Sequence, residues 1–438
     1  MKKLFYLVCC TIILCYSCKK DNDYPTTTVT VQLAYPAGSE FTAKAGVAVK
    51  MTGRSTSFDA VTDAAGKATF VVPTDVYDIS ATDTRTGGSA RVYIYSAVKS
   101  GVTISTGGTD PEAITLELQE SETSQIIIKE LYVGGVPKDD GSGPFQYDRY
   151  TILYNNSNTA AHLGNLCLAT TIPYNAQASN PYYGTDGRLT YESEGWIPAG
   201  QAFWYFREDV VIQPGQQIVI ALANAVNNTL VHSKSINFNN PAYYCTFDNT
   251  KFTHAATYPA PSASIPSSHY LKAETYAPGS AWTLSNTSPG FFIFDPQGYT
   301  PSAFAADLSK TDQLNSALIS KKVNVKWVLD GVDAFLLNNT GNKKRLTATV
   351  DAGYVYHLNG QGYSIYRNVD AAATKAIEGN EAKLVYNYAY GTTAVGGTTD
   401  PSGIDAEASI KNGARIIYKD TNNSTNDFHL RSQASLRN

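Results

Sequence analysis

The sequence lacks the strongest short motifs by which enzymes are recognised. It has no His-Glu-x-x-His, no Gly-x-Ser-x-Gly and no Gly-Lys-Ser/Thr phosphate loop. The separation of a glycosidase's two carboxylates is a spatial property that a sequence does not show. Nothing marks such a pair among the 38 acidic residues. We therefore expect no enzymatic activity, and a hydrolase of glycans or peptides is the third interpretation of the sequence.

Positive charge is also scarce. Charged residues make up 16% of the chain, and 34 Lys and Arg stand against 38 Asp and Glu. Without Lys2 and Lys3, which lie in the N-terminal segment described below, the basic residues fall to 32 and the formal charge becomes −6. A nucleic-acid-binding surface needs a basic field that neutralises phosphates. Nucleic acid is therefore not expected as a partner.

Helix-favouring composition is missing too. The chain has 2 Met, but 30 Tyr and 33 Gly, a balance that favours strands and turns. Its 438 residues are enough for two or three domains. The composition predicts an all-β protein, with minor helices at 311–318 and near 370–377.

The N-terminus is typical of an export signal. Met1-Lys2-Lys3 precedes an apolar run that is too short to span a membrane as a helix, so residues 1–17 are predicted to be a signal peptide. The junction Ser17-Cys18 resembles the lipobox of Bacteroides-type lipoproteins, with Cys15 where an aliphatic residue is usual. The resemblance implies lipid attachment at Cys18. An ordinary secretory signal or an uncleaved N-terminus is the alternative.

Residues 18–26 would form the lipidated tether. The stretch 19–23, Lys-Lys-Asp-Asn-Asp, resembles signals that direct such lipoproteins to the cell surface. This implies an outer-membrane protein that faces the cell exterior, and a plain solvated tether on the periplasmic side is the alternative. In the folded part only Cys167 and Cys245 remain, and they either form a disulfide or are two buried thiols.

Short alternating runs fill residues 27–120. They lie at 29–35, 47–51, 68–72, 77–81, 92–97, 102–105 and 114–118, with turn residues between them. The segment 62–70, Thr-Asp-Ala-Ala-Gly-Lys-Ala-Thr-Phe, resembles the carboxypeptidase-regulatory-like fold, which is a prealbumin-like β-sandwich. The resemblance implies a module that serves as a spacer or stalk.

The pattern restarts at residue 124 and continues to about 430. Segments 150–157 (Tyr-Thr-Ile-Leu-Tyr-Asn-Asn-Ser) and 212–221 (Ile-Gln-Pro-Gly-Gln-Gln-Ile-Val-Ile-Ala) resemble the lamin-tail fold, an immunoglobulin-like sandwich. The chain departs from that pattern at Ile152, where the family has an acid. The resemblance implies a second β-sandwich, and the roughly 300 residues leave room for long insertions.

Two further segments resemble a narrower family, the large Bacteroides-type surface lipoproteins of unknown function. They are 288–295, Ser-Pro-Gly-Phe-Phe-Ile-Phe-Asp, and 420–428, Asp-Thr-Asn-Asn-Ser-Thr-Asn-Asp-Phe. In that family a regulatory-like module precedes a lamin-tail-like domain with insertions. The acids of 420–427 also offer oxygen ligands for calcium, but their spacing fits no known calcium loop, and a turn network that holds the last strand is the preferred interpretation.

Long insertions are the expected place for a binding site. Residues 223–281 and 375–409 contain the candidate ligand-binding residues Tyr243, Tyr244, His254, Tyr258, His269, Tyr386, Tyr388 and Tyr390. Tyrosine gives a large contact area at low entropy cost, although many of these rings could equally belong to the core. A His/Tyr cluster that holds iron is an alternative, but no metal or cofactor is expected.

The sequence thus favours a non-enzymatic binding or accessory lipoprotein. Its expected partners are the outer membrane through the lipid, a β-barrel transporter of a TonB-dependent nutrient uptake system, and an extracellular glycan, peptide or iron chelate. A cell-surface adhesin or structural protein is the second interpretation.

Overall fold

The computed structural model describes residues 25–39, 41–53, 56–86, 91–105, 113–185, 188–316, 318–393 and 398–437. Strands in several sheets dominate this part of the chain, and its helices are short. The all-β fold class is therefore confirmed. The chain divides into two compact units, Met1–Thr84 with Ile94–Ser121 and Arg85–Tyr93 with Glu122–Asn438.

Two sheets form the N-terminal part of the fold. The strands are β1 (Thr26–Ala34), β2 (Ala48–Thr52), β3 (Ser57–Val61), β4 (Lys67–Pro73), β5 (Asp75–Thr86), β6 (Arg91–Ile104), β7 (Ile114–Glu117) and β8 (Gln119–Ser124). One sheet has the order β4-β1-β7 and the other the order β3-β2-β5-β6-β8. β1 pairs antiparallel with β4 and parallel with β7.

Alternation explains most of these strands. Val29, Val31 and Leu33 of β1 are buried, whereas the residues between them are partly exposed. Each such side chain contributes about 1.5–3 kcal/mol on burial. The expectation of separate strands at 92–97 and 102–105 is wrong, because β6 runs through both. The strand includes Gly101, whose φ of +72° is a left-handed conformation that glycine adopts without steric cost.

The second unit contains the remaining strands. They are β9 (Ile126–Tyr132), β10 (Val136–Pro137), β11 (Pro144–Phe145), β12 (Tyr150–Asn155), β13 (Ala161–His162), β14 (Cys167–Thr171), β15 (Trp196–Tyr205), β16 (Val211–Ile212), β17 (Gln217–Ala221), β18 (Tyr244–Cys245), β19 (Lys272–Thr275), β20 (Gly290–Phe294), β21 (Thr311–Gln313), β22 (Ile319–Asn324), β23 (Val328–Leu336), β24 (Val355–His357), β25 (Ser364–Arg367) and β26 (Phe428–Arg431).

Two large sheets form a sandwich. The six-stranded sheet has the order β18-β17-β12-β9-β25-β26, and the eight-stranded sheet has the order β21-β22-β15-β14-β20-β23-β24 with β19 beside β15. Ile128 and Ile220 of the first sheet and Trp204 and Phe291 of the second belong to one buried cluster. This shared cluster is the central core of the unit.

The outer face of the six-stranded sheet is also covered, and two segments cover it. Residues 223–281, called the first insertion, place Ile236 and Phe238 against Tyr150. Residues 375–409, called the second insertion, pack against the other half of the face through Ile404 and, just beyond, Tyr418. Because both faces are covered, all seven residues of β9 are buried.

The helices of the described part are α1 (Pro301–Ala306), α2 (Ala371–Lys375), α3 (Ala406–Lys411) and α4 (Ser424–Asp427), with 3-10 turns at Asn228–Leu230, Ser267–His269, Leu308–Lys310, Val325–Trp327 and Glu381–Lys383. α2 confirms the helix expected near 370–377, and the Asp370 carboxylate caps it by accepting from Ala373 N. The helix expected at 311–318 is wrong, because Thr311–Gln313 pairs with β22 as a strand. Within the described residues, no helix has the length and apolar character needed to cross a membrane.

Candidate ligand-binding site

Cys18 and the tether up to residue 24 lie outside the described residues. The lipid anchor therefore stays a prediction from the sequence.

Cys167 and Cys245 are buried free thiols, which agrees with the second of the two alternatives that the sequence left open and not with a disulfide. Cys167 packs in the cluster on the outer face of the eight-stranded sheet, and Cys245 packs in the cluster under the first insertion. The two thiols thus belong to different buried clusters. Burial raises the pKa of Cys245 to about 12, so this thiol stays protonated at neutral pH.

The first insertion brings together three of its five candidate residues. Tyr244, in edge strand β18, stacks on His269 with ring centroids 4.1 Å apart, and His269 Nδ1 lies 3.1 Å from Tyr243 O. Tyr243 is half-buried and packs on the cluster beneath it. These three residues tie β18 to the turn Ser267–His269, so their contacts are largely structural.

The other two candidates of the first insertion lie elsewhere. Tyr258 is buried in the central core, where it stacks on Phe252. His254 is exposed, and its Nδ1 contacts Thr257 Oγ1 at 2.8 Å. The His/Tyr iron cluster considered from the sequence is therefore not assembled. In the part of the chain that the structure describes, no group of three or more His, Cys, Asp or Glu could hold a metal.

A depression lies between the first insertion and Arg207. Arg207, Phe247, Tyr270 and Lys272 line a cavity of about 320 Å³. Phe247 and Tyr270 meet edge to face at 5.4 Å, and Arg207 Nε donates to Tyr270 O. Its aromatic rings are thus occupied by contacts within the protein.

The second insertion presents its tyrosines differently. Tyr386 and Tyr390 are 41% and 36% exposed, and both belong to one loop that runs beside β26. The guanidinium of Arg431 lies 4.2 Å from the Tyr390 ring centroid, and Lys375 Nζ lies 5.4 Å from that of Tyr386. Both exposed rings thus carry a cation on one side.

The backbone fixes this loop. Tyr388 N donates to Gly403 O at 3.1 Å, and Ser432 N, just after β26, donates to Tyr390 O at 2.8 Å. Asn387, the residue before Tyr388, has a φ of +71°, a left-handed conformation that asparagine tolerates better than most residues. The ring directions are therefore set by the fold.

Between the exposed rings, Tyr388 connects the loop to the sheet. Its hydroxyl lies 2.7 Å from His429 Nε2, and His429 Nδ1 lies 2.8 Å from Asn368 Oδ1. Burial lowers the pKa of His429 to about 3, so the ring is neutral at pH 7. We infer that Nδ1–H donates to Asn368 and that Nε2 accepts from Tyr388, whose own pKa is raised by burial.

A polar depression adjoins this hydrogen-bonded chain. It has a volume of about 360 Å³, and its lining consists of Asn368, Thr398, Thr399, Pro401, Lys419, Thr425, Asn426, Phe428 and His429. Hydroxyl, amide and ammonium groups dominate this lining, while Phe428 and His429 are buried in its floor. His429 lines the depression and is hydrogen-bonded to Tyr388, so the depression adjoins the loop that carries Tyr386 and Tyr390. We call Tyr386, Tyr388, Tyr390 and the residues that line the depression the β26-edge site.

The C-terminal motif, residues 420–428, supplies Thr425, Asn426 and Phe428 to the lining of the depression. Asp427 accepts hydrogen bonds from Thr421 N and Asn423 N at 2.9 and 3.1 Å, and the Ser424 hydroxyl donates to Asp351 at 2.7 Å. These bonds confirm the turn network that was preferred over a calcium loop. Sequence reasoning did not single out Arg431, Asn368 or His429, because only the pairing of β25 with β26 places them beside the second insertion.

Comparisons with known proteins gave one family match and one similar crystal structure. Residues 213–386 match the model of a family described as a protein of unknown function, DUF4876. The chain is also similar to the crystal structure of a DUF4876 family protein from Bacteroides thetaiotaomicron VPI-5482, with a TM-score of 0.51 and 19% identity over 92% of this chain and 94% of that one. At that identity the likeness shows the fold alone. No curated protein matches the chain.

Proposed function

We propose that this chain is a non-enzymatic binding or accessory lipoprotein of the outer membrane, lipidated at Cys18 and facing the cell exterior. In this proposal the regulatory-like module is the stalk, and the lamin-tail-like sandwich carries the recognition surface for a TonB-dependent uptake system. The lipobox-like junction at Ser17-Cys18 supports the anchor.

The observation that carries the proposal is the β26-edge site. Tyr386 and Tyr390 are 41% and 36% exposed, and Tyr388 between them is hydrogen-bonded to His429, which lines a depression together with hydroxyl and amide groups. Rigid aromatic side chains with a polar rim are typical of recognition surfaces. Sugars present apolar ring faces and many hydroxyls, so this pairing favours a glycan among the extracellular ligands considered.

An array of immobilised oligosaccharides tests the ligand. We expect the soluble chain to bind a subset of the glycans, and the double variant Y386A/Y390A to lose at least about tenfold in affinity, which corresponds to about 1.4 kcal/mol. Y356A is the matched control, because Tyr356 has the same 36% exposure as Tyr390 but lies in β24 of the other sheet. Equal binding by both variants and wild type would contradict a role for the β26-edge site.

Cell fractionation tests the anchor separately. The wild-type chain should remain in the outer-membrane fraction and be digested when intact cells are treated with protease. C18A should leave that fraction, because the acyl chains supply the membrane affinity. Full protection of the wild-type chain on intact cells would contradict exposure at the surface, whatever its ligand.

Extraction in a mild detergent tests the uptake partner. A β-barrel transporter should co-purify with the wild-type chain and dissociate under harsher conditions. Recovery of a folded chain that carries no outer-membrane protein would count against the transporter association, while leaving glycan binding open to the array.

A further inference from the structure

A buried lysine lies under the second insertion. On β12, Ile152 pairs with Glu130 and Leu153 with Ile128, so Lys129 is the extra residue of a β-bulge in β9. A bulge interrupts the alternation of a strand and redirects a side chain. The Lys129 side chain is 0% exposed, which is rare for lysine and costs stability unless the charge is matched.

Three tyrosine rings surround its ammonium group. Lys129 Nζ lies 6.0, 5.8 and 5.7 Å from the ring centroids of Tyr154, Tyr366 and Tyr418. These rings leave little room for water around Nζ. Reactive groups held in such an enclosed site keep a fixed orientation toward each other.

Two groups touch Nζ directly. Glu407 Oε1, at the start of α3, lies 2.7 Å away, and Gln217 Oε1, at the start of β17, lies 2.6 Å away. The Tyr366 hydroxyl donates to the same Glu407 oxygen at 2.7 Å. An amine, a carboxylate and a primary amide therefore meet at one point, and the amide carbon is one bond from the contacting oxygen.

We propose that Lys129 and Gln217 become joined by an intramolecular amide bond, with Glu407 as the proton-transfer group. This cross-link would be a self-catalysed modification that fastens β9 to β17 across β12. It is independent of the ligand and of the anchor proposed above.

The step balances without any co-reactant. Glu407 accepts a proton from the Lys129 ammonium, and the freed lone pair of Nζ attacks Cδ of Gln217. The Nζ–Cδ bond forms, and the Cδ–Nε2 bond breaks as Glu407 returns the proton to the departing nitrogen. A second proton from Nζ follows, so ammonium leaves and Glu407 is regenerated as carboxylate.

The two ends of the new bond differ in exposure, and each difference helps the reaction. Gln217 is the exposed member of the trio, so ammonium can escape into solvent on that side. Nζ is enclosed, which keeps water from the new amide.

Peptide mapping by mass spectrometry tests the cross-link. After denaturation and trypsin digestion of the purified chain, we expect a branched peptide containing Lys129 and Gln217, lighter by one ammonia than its two linear parts. Trypsin should not cleave after Lys129 in that peptide. Recovery of Lys129 and Gln217 only in separate linear peptides would overturn the proposal and leave an ordinary buried ion pair.

Three variants make the result specific. Q217A should abolish the branched peptide and should still fold, because the side chain is exposed. Q216A is the matched control at the exposed neighbour and should retain it. E407Q keeps a hydrogen-bonding group beside Nζ but cannot relay the proton, so the branched fraction should fall strongly. A branched peptide at wild-type level in E407Q would refute the role of Glu407.

Discussion

The two insertions cover the same face of one sheet but use their tyrosines in different ways. In the first insertion, Tyr258 is in the central core and Tyr244 is stacked on His269. In the second, Tyr386 and Tyr390 stand out from a loop that the backbone fixes beside β26. Similar composition thus gives a structural cover in one place and a candidate recognition surface in the other.

The buried polar groups under the two insertions also differ. Asp148, which holds the first insertion by accepting from the Ser235 hydroxyl at 2.6 Å, is a buried acid whose pKa burial raises to about 6. His429, which holds the second insertion through Tyr388, is a buried base whose pKa burial lowers to about 3. The two covers should therefore respond to acid in opposite directions.

The largest expected effect tests the first insertion as a structural cover. Phe238 is fully buried between this insertion and the sheet. F238A should lower the free energy of unfolding by about 3–5 kcal/mol, because it leaves a cavity. Chemical denaturation followed by tryptophan fluorescence measures this loss, and a change below about 1 kcal/mol would mean that the insertion is not part of the core.

Acidification should weaken the second insertion through His429. The unfolded histidine binds a proton below its ordinary pKa of 6.5, whereas the folded one does so only near 3. The contribution of His429 to the free energy of unfolding is therefore fully present above about pH 6.5 and is lost as the pH falls toward 3. Between pH 7 and 4.5 the loss is about 2.5 kcal/mol. H429Q should lose this part of the pH dependence in denaturation curves at the two pH values, and an unchanged slope would contradict the assignment.

Asp148 should act in the opposite sense in the first insertion. Its folded pKa of about 6 lies above the ordinary 3.8, so the folded state binds the proton first as pH falls. As the pH falls from 7 to 4.5, protonation of Asp148 therefore stabilises the folded state by about 2 kcal/mol. The stability of D148N relative to wild type should be higher at pH 7 than at pH 4.5, and a constant difference would show that Asp148 does not titrate in this range.

Removal of single tyrosine hydroxyls compares how much each insertion depends on one hydrogen bond for its stability. Y388F deletes the donor to buried His429 Nε2 and should cost about 1–3 kcal/mol, since an acceptor is left without its partner. Y244F keeps the ring that stacks on His269 and should stay within about 0.5 kcal/mol of wild type. Paired denaturation curves give both values, and equal losses would remove the distinction between the two covers.

The sequence supported the strands and the insertions for clear physical reasons. Alternation marked β1, and the length beyond a plain sandwich marked segments 223–281 and 375–409 as extra material. The exposure of individual tyrosines could not be predicted, because Tyr258 and Tyr390 differ only in what packs on them. The strand at Thr311–Gln313 was missed, since pairing with β22 outweighs local helix preference.

The β26-edge site was accessible to sequence reasoning only in part. Its tyrosines were candidates, but Tyr388 and His429 are 41 residues apart and meet only through the tertiary fold. The Lys129 bulge is similarly hidden, because a strand that is buried on both faces has no alternation for a single extra residue to disturb. Long-range pairing, which periodicity does not encode, decides both features.

The most direct test of the account compares the two insertions in one binding assay. The double variants Y386A/Y390A and Y243A/Y244A should be titrated, as folded proteins, against the oligosaccharide that the wild-type chain binds most tightly. We expect that only Y386A/Y390A loses affinity, by at least about tenfold. Loss of binding in Y243A/Y244A with full binding by Y386A/Y390A would place recognition at the first insertion and contradict the account.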